Sequence, residues 1–454
     1  MSLGNQICAA LGILCLVVLV HCTTARGFRF SPALLFFILY ILQQIVGCML
    51  LLREDDPGAV RARFGLELGM IGFTLGVVAI TVCMRFSPSR ELQALRSRIR
   101  LDETGLREKV IVMTVGYAIA ITIVMVYFLR GGGIPLLEGI RALASGDEVR
   151  TAQILLKERR MEMTYFEDSS YRGQGYVDQL RMIVLPYVLA CLFLWARHSG
   201  RRGLQIAVGL LAVPAVISLM GTGQRHPVLS FLLSLTILGY VMTSPHLHRK
   251  VLGVFFAIGF SIFFALSFML GRYAHTNSIG GDLSMVALGL WNRIAYSNAL
   301  GTMALFDLFP NPEPFRWGTT WTNDLYGFLP GPYVAFSAWL FRRLYGFTGT
   351  AAPMSFGEMY ANFGLPGVLF GSALVGFAMQ GAYVLWARKK IYRAEDLVVF
   401  AIGSMGFARL AMGGLLGPIQ YGFVGLPLLY FTVRMGQWAL RALHFRARAL
   451  TTSP

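Results

Sequence analysis

Residues 110–129 read VIVMTVGYAIAITIVMVYFL, twenty positions without a charged side chain, bounded by Lys109 and Arg130. A bilayer core about 30 Å thick is crossed by roughly 20 apolar residues of helix. The stretch is therefore predicted to be a transmembrane helix. Comparable runs occur at 4–22, 31–52, 66–84, 182–196, 204–221, 228–243, 251–270, 365–387, 397–412 and 421–438. The shorter ones can be accommodated by tilt or by their flanking residues. The runs are unbroken rather than alternating, which argues against a β-barrel. The expectation is an all-α polytopic membrane protein of about eleven transmembrane helices, forming a single integral membrane domain over 1–454.

Composition agrees. Of 454 residues, 56% are hydrophobic and only 14% charged, and mean hydropathy is +0.60. Soluble domains carry roughly 25% charged residues, so a soluble enzyme is excluded, and hydrophobicity this high excludes disorder. All six cysteines lie inside apolar runs, so no disulfide framework is implied. No His/Cys cluster has ligand spacing; His246 and His248 sit beside Arg249 and Lys250 and read as a basic loop. A Gly-rich loop followed by Lys-Ser/Thr is missing, and neither loop set holds an Asp-x-Asp pair. Neither a metal nor a nucleotide cofactor is expected.

The net charge of +17 is a topology signal once it is placed. Loops 23–30, 85–109, 197–203, 244–250 and 388–396, with the tail from Arg434, hold 22 Lys/Arg against six acidic residues. The opposite set, 53–65, 130–181, Arg225 and 271–353, holds 17 against fifteen. Basic loops stay cytoplasmic, so the N-terminus is expected outside and the C-terminus inside. Nucleic acid is not needed to explain the basic balance. Met1 to Gln6 has no basic residue, so the first span reads as an uncleaved helix rather than a signal peptide.

Two outer loops are long. Residues 130–181 open with Gly131-Gly132-Gly133-Ile134-Pro135, a helix stop, and continue in a charged helical pattern that suits a solvated helix. Residues 271–353 are less polar and rich in Trp and Tyr, among them Trp317, Trp321, Tyr326 and Trp339. These aromatics favour the membrane boundary, so the segment reads as a cap with amphipathic helices in or on the outer leaflet. No internal repeat suggests inverted transporter halves.

A few polar residues stand out against this background. Arg409 lies in an otherwise apolar run, where a cation costs roughly 2.5–3.5 kcal/mol and needs a partner or a wet cavity. Arg225 sits in Gly221-Thr222-Gly223-Gln224-Arg225, a turn in which glycines allow close approach and an arginine can fork a phosphate. Arg272 ends a span at the same face, and Arg293 lies in the cap. Each could equally be a snorkelled or structurally paired arginine. Glu358 and His275 are candidate general bases on the outer side. The competing readings are an arginine's counter-ion for Glu358 and a surface residue for His275.

Four short stretches resemble the O-antigen polymerase group, the Wzy-type polymerases of lipid-linked oligosaccharide repeat units. They are Gly132-Gly133-Ile134-Pro135-Leu136, Gly223-Gln224-Arg225, Gly271-Arg272, and Gly357-Glu358-Met359-Tyr360-Ala361-Asn362-Phe363-Gly364. Gln224 stands where the family's Gly-Ser-Arg turn has serine; the last stretch is similar to Gly-Glu-x-Tyr-x-Asn-Phe-Gly and is the most specific. The resemblance covers about residues 110–390. It implies a bacterial inner-membrane glycosyltransferase with a periplasmic site, acting on undecaprenyl-pyrophosphate-linked donor and acceptor. A chain-length-regulating membrane protein is a possible partner, which the sequence leaves open. With that function, the expected pyrophosphate-binding residues are Arg225 and Arg272, which lie in the matching stretches, together with Arg293 and Arg409, which stand out by their position in the chain; the expected base is Glu358 from the last stretch, or His275. An O-antigen-ligase-like transferase and a lipid-linked glycan flippase remain open at this point.

Overall fold

The computed structural model describes residues 3–26, 28–51, 57–93, 95–101, 106–145, 174–224, 226–243, 296–326, 334–346, 349–417, 422 and 425–451, with scattered positions between 250 and 292. Among the described residues there is no strand, only the isolated bridges Ala25–Phe28 and Ile99–Tyr392.

The chain begins with α1 (Leu3–Thr23) and α2 (Pro32–Tyr40). Ser31 caps α2 by accepting from the Leu34 N–H at 3.1 Å, with Pro32 pre-set for the first turn. A π-helical turn, Ile41–Ile45, leads into α3 (Val46–Leu51). Then come α4 (Pro57–Cys83), α5 (Pro88–Gln93), α6 (Leu106–Arg130), α7 (Pro135–Ala144) and α8 (Gln174–Gln179). A second π turn, Leu180–Val184, joins α8 to α9 (Leu185–Ser199), followed by α10 (Arg202–Met220) and α11 (His226–Met242). The described part of the cap forms α12 (Ser297–Leu308), α13 (Thr319–Tyr326) and α14 (Phe336–Tyr345). The chain returns through α15 (Ser355–Ala387), α16 (Ala394–Ala408) and α17 (Gly425–Thr451).

Seven described helices are long and apolar enough to cross a membrane, in α1, α2–α3, α4, α6, α8–α9, α10 and α15. The expected span at 228–243 is α11, only 17 residues, and that at 397–412 is α16, only 15, closed by a 3₁₀ turn at Arg409–Ala411. The span at 421–438 falls in α17, where Arg434 interrupts the apolar run. The span at 251–270 lies largely outside the described residues. The helices are apolar all round, as lipid-facing helices are. On α15, Val368 is fully buried while Phe370 and Leu374 are 72% and 68% exposed. Exposed apolar surface on this scale is a liability in water and a solvation shell in lipid.

Helices α4 and α15 form the axis. A Cβ on Gly76 would lie 1.9 Å from the Ala373 carbonyl oxygen, and one on Gly376 would lie 2.2 Å from that of Phe73. A Cβ on Gly72 would meet the Ser372 hydroxyl at 2.2 Å. Gly72-x3-Gly76 against Ser372-x3-Gly376 is the small-residue contact by which membrane helices bring backbones together without a hydrophobic driving force. One core is built mainly from α1, α2, α4, α12 and the first part of α15; a second, mainly from α6, α9, α11 and α16, meets α15 near its end through Tyr383, Val384 and Ala387.

Loops meet in two separate groups. In one group, the Arg100 N–H donates to Tyr392 O and the Tyr392 N–H donates to Arg98 O, each at 2.9 Å, and Arg388 pairs with Glu91 at 3.1 Å. Lys109 meets Glu395 at 2.6 Å, both 1% exposed. In the other, the Leu136 N–H donates to Gly221 O, and Arg61 reaches the carbonyls of Phe306 and Phe309 at 3.4 Å. Arg181, fully buried, binds Asp178 at 2.9 Å and the Thr222 hydroxyl at 3.0 Å.

Candidate functional site

Helix α15 is broken near its start. Gly364 has φ 67° and ψ −158°, and Pro366 has no N–H to donate. The break strands the carbonyls of Ala361 and Asn362, which a continuous helix would pair with residues 365 and 366. The cap supplies the missing donors: Arg316 N–H reaches Ala361 O at 2.9 Å, and Trp317 N–H reaches Asn362 O at 3.1 Å. Buried backbone groups in a membrane protein must be paired in this way.

The rest of the Gly357–Gly364 stretch follows the same logic. Asn362 accepts from the Gly318 N–H at 2.8 Å and donates to the Thr320 hydroxyl at 2.7 Å and to Glu358 O at 2.9 Å. Tyr360 donates its hydroxyl to Phe309 O at 3.0 Å. Gly357 gives room to α12, since a Cβ there would sit 3.0 Å from Leu305. The stretch is thus the anchor of the cap.

Glu358 is the member that the anchoring does not consume. It is fully buried. Its Oε2 accepts from the Leu415 N–H at 2.6 Å, and its Oε1 has no hydrogen-bond partner. Helix α13 closes over it: Thr320 and Trp321 flank the carboxylate, and the charge of Asp324, one turn on, acts on it. Gly414 lies against it as well, where a Cβ would be 2.7 Å from Oε2.

The segment 409–415 that holds Glu358 is itself fixed from two sides. Ser355 donates to Leu410 O at 3.0 Å, and Gln44 donates to Ala411 O at 3.0 Å. Gln44 sits in the first π turn, which turns its amide inward. Arg409 opens the segment; it is 9% exposed and its Nη2 donates to the Ser230 hydroxyl of α11 at 2.8 Å. One short segment therefore carries both a buried guanidinium and the N–H that holds a buried carboxylate.

Outside the buried centre, Asp324 accepts weakly from the Phe336 N–H at 3.5 Å, which ties α13 to α14. Burial pushes the Asp324 carboxyl up from its usual 3.8 to about 6, against the opposing pull of that N–H.

Of the residues singled out in the sequence, Glu358 and Arg409 belong to one connected neighbourhood, joined through residues 410–415. Arg225, Arg272, His275 and Arg293 lie outside the described residues. Sequence reasoning missed Gln44, Thr320, Trp321 and Asp324. The Gln43-Gln44 pair inside an apolar run was a readable signal, since polar side chains at membrane depth need partners. Thr320 and Asp324, four apart on one helix face, gave a weaker one. Among the described residues, no three His, Cys, Asp or Glu side chains gather as metal ligands would. The chain matches no protein-family model, no curated protein and no solved structure.

Proposed function

We propose that this protein is a bacterial inner-membrane glycosyltransferase that polymerises undecaprenyl-pyrophosphate-linked oligosaccharide repeat units on the periplasmic side. The observation that carries the reading is Glu358: a fully buried carboxylate, held by one backbone N–H, with one oxygen unpartnered beneath a cap. A buried carboxylate that meets a backbone N–H but, among the described residues, no cation keeps an oxygen able to accept a proton, as a general base must. The sequence resemblance supports the reading through the same stretch.

In this reaction the acceptor hydroxyl oxygen bonds to the donor's anomeric carbon. The bond from that carbon to the pyrophosphate oxygen breaks, its electron pair leaves with undecaprenyl pyrophosphate, and the hydroxyl proton passes to Glu358 Oε1. Direct displacement inverts the anomeric centre. Negative charge grows on the leaving pyrophosphate, and arginines stabilise charge that rises in the transition state. Arg409 is the described candidate for this role, with Arg225, Arg272 and Arg293 proposed beside it.

Purified protein incubated with lipid-linked repeat units tests the proposal. A ladder of lengthened glycans is the expected result. Vectorial transport of the repeat in proteoliposomes without lengthening would replace the polymerase by a flippase. Transfer to a different acceptor alone would replace it by a ligase.

A further inference from the structure

Glu358 Oε1 is not the only orphan at the site. Trp321 Nε1 is also buried without a hydrogen-bond partner. The two face one another, close enough for the indole N–H to act on the carboxylate, yet they make no well-formed bond. One is an acceptor only and the other a donor only. Each is left with only a poorly formed contact in a buried place, where polar groups are costly to leave short of partners. A cost of that kind is retained where a ligand relieves it.

Only some groups can satisfy both atoms at once. The ligand group must donate to Oε1 and accept from Nε1–H, which a hydroxyl does with a single oxygen. A carboxylate or phosphate would place an anion against Glu358, and an ammonium has no lone pair for the indole. The aromatic frame suits a sugar as well as its hydroxyl. The Trp321 ring lies 5.4 Å from Phe363, and Trp317, 73% exposed, packs edge-on to the same Phe363 at 6.1 Å. Trp317 holds φ 49°, a strained value for a bulky residue, fixed by its N–H bond to Asn362 O.

We propose that Trp321 is an acceptor-positioning residue, whose indole N–H and Glu358 Oε1 together form a subsite for one sugar hydroxyl. The inference rests on the polymerase reading for the acceptor's identity, but the hydroxyl subsite does not. The hydroxyl engages both groups together as the acceptor settles against α13.

The test uses the full-length protein in nanodiscs, labelled with ¹⁵N at tryptophan. The Trp321 indole signal is assigned by its loss in Trp321→Phe. Adding lipid-linked repeat should shift that signal, and the same repeat with its hydroxyls acetylated should not. In elongation assays Trp321→Phe should lower kcat/KM for the acceptor about ten- to a hundredfold, chiefly through KM, with thermal stability near wild type. An indole signal indifferent to both repeats overturns the proposal, as does a Trp321→Phe variant that loses stability but keeps its kinetics. A signal that shifts with the free-hydroxyl repeat while no elongation occurs keeps the subsite and removes the polymerase reading.

Discussion

Glu358 and Glu395 are both almost wholly buried glutamates near helix starts, and they are treated in opposite ways. Glu395, in the first turn of α16, meets the ammonium of Lys109 from α6 at 2.6 Å. Its neighbours repeat the pattern, with Asp396 on Lys389 at 2.5 Å and Glu91 on Arg388 at 3.1 Å. At that end of the molecule, acidic groups meet cations. Glu358, at the cap end, has a backbone N–H on one oxygen and no cation among the described residues; Thr320 and Trp321 act on it without a well-formed bond to Oε1. The difference separates a carboxylate that joins two helices through an ion pair from one that meets no cation among the described residues. Burial alone does not distinguish the two, and neither does hydrogen bonding, since Glu395 also has oxygens without a hydrogen bond; among the described residues the presence of a cation does.

The comparison breaks most directly at its two glutamates. Glu358→Gln keeps the shape and removes the base, so elongation should fall about 10²–10⁴-fold, with melting temperature little changed. Near wild-type elongation would return Glu358 to a purely structural role. Lys109→Met should do the reverse. It leaves Glu395 buried without its cation, a loss of about 3–5 kcal/mol read in thermal or denaturant unfolding, while the protein that remains folded keeps its specific activity.

A second pair of variants tests the axis on which both ends depend. Gly76→Leu drives a side chain into the Ala373 carbonyl and should cost about 1–3 kcal/mol or more. Gly403 on α16 has open space around its would-be Cβ, so Gly403→Ala should be neutral or slightly stabilising. Equal effects at the two sites would remove the close-packing account of α4 and α15.

The cap end should also respond to pH through Asp324. Its carboxyl sits at about 6 in the folded protein against a usual 3.8, so the docked cap binds this proton more tightly than the unfolded chain does. The stabilising contribution is complete below about pH 3.8 and is lost as pH rises through about 6. Wild type should therefore lose melting temperature across that window relative to Asp324→Asn. Parallel melting curves for the two proteins from pH 4 to 8 would exclude the effect.

A small loss is expected at the partly exposed pair at the Lys109–Glu395 end. Glu91→Gln breaks a bridge whose arginine is 38% exposed, and exposed pairs contribute about 0–1 kcal/mol. A larger loss would mean that the Glu91–Arg388 contact holds the 85–109 and 388–396 loops together more firmly than its exposure suggests.

The helical membrane class was legible in the sequence because it depends on a one-dimensional quantity, the length of an uncharged run against the thickness of a bilayer. Glu358 could be picked out for a similar reason: a charge beside an apolar span is conspicuous in a string of letters. The polarity of Gln43-Gln44 was equally visible, but not that a π turn would bring Gln44 onto Ala411 O, 367 residues away. Which helices reach full spanning length was decided by tertiary structure, since the 3₁₀ turn at Arg409–Ala411 ends α16 early and turns the chain toward Glu358. The cap's attachment was likewise hidden, because it rests on two carbonyls freed by the Gly364 and Pro366 break and met by Arg316 and Trp317. Hydrophobic length is a sum along the chain and can be read there. Hydrogen-bond completeness is a property of neighbours distant in sequence, so only the folded chain decides which buried polar atoms are satisfied and which, like Glu358 Oε1 and Trp321 Nε1, are not.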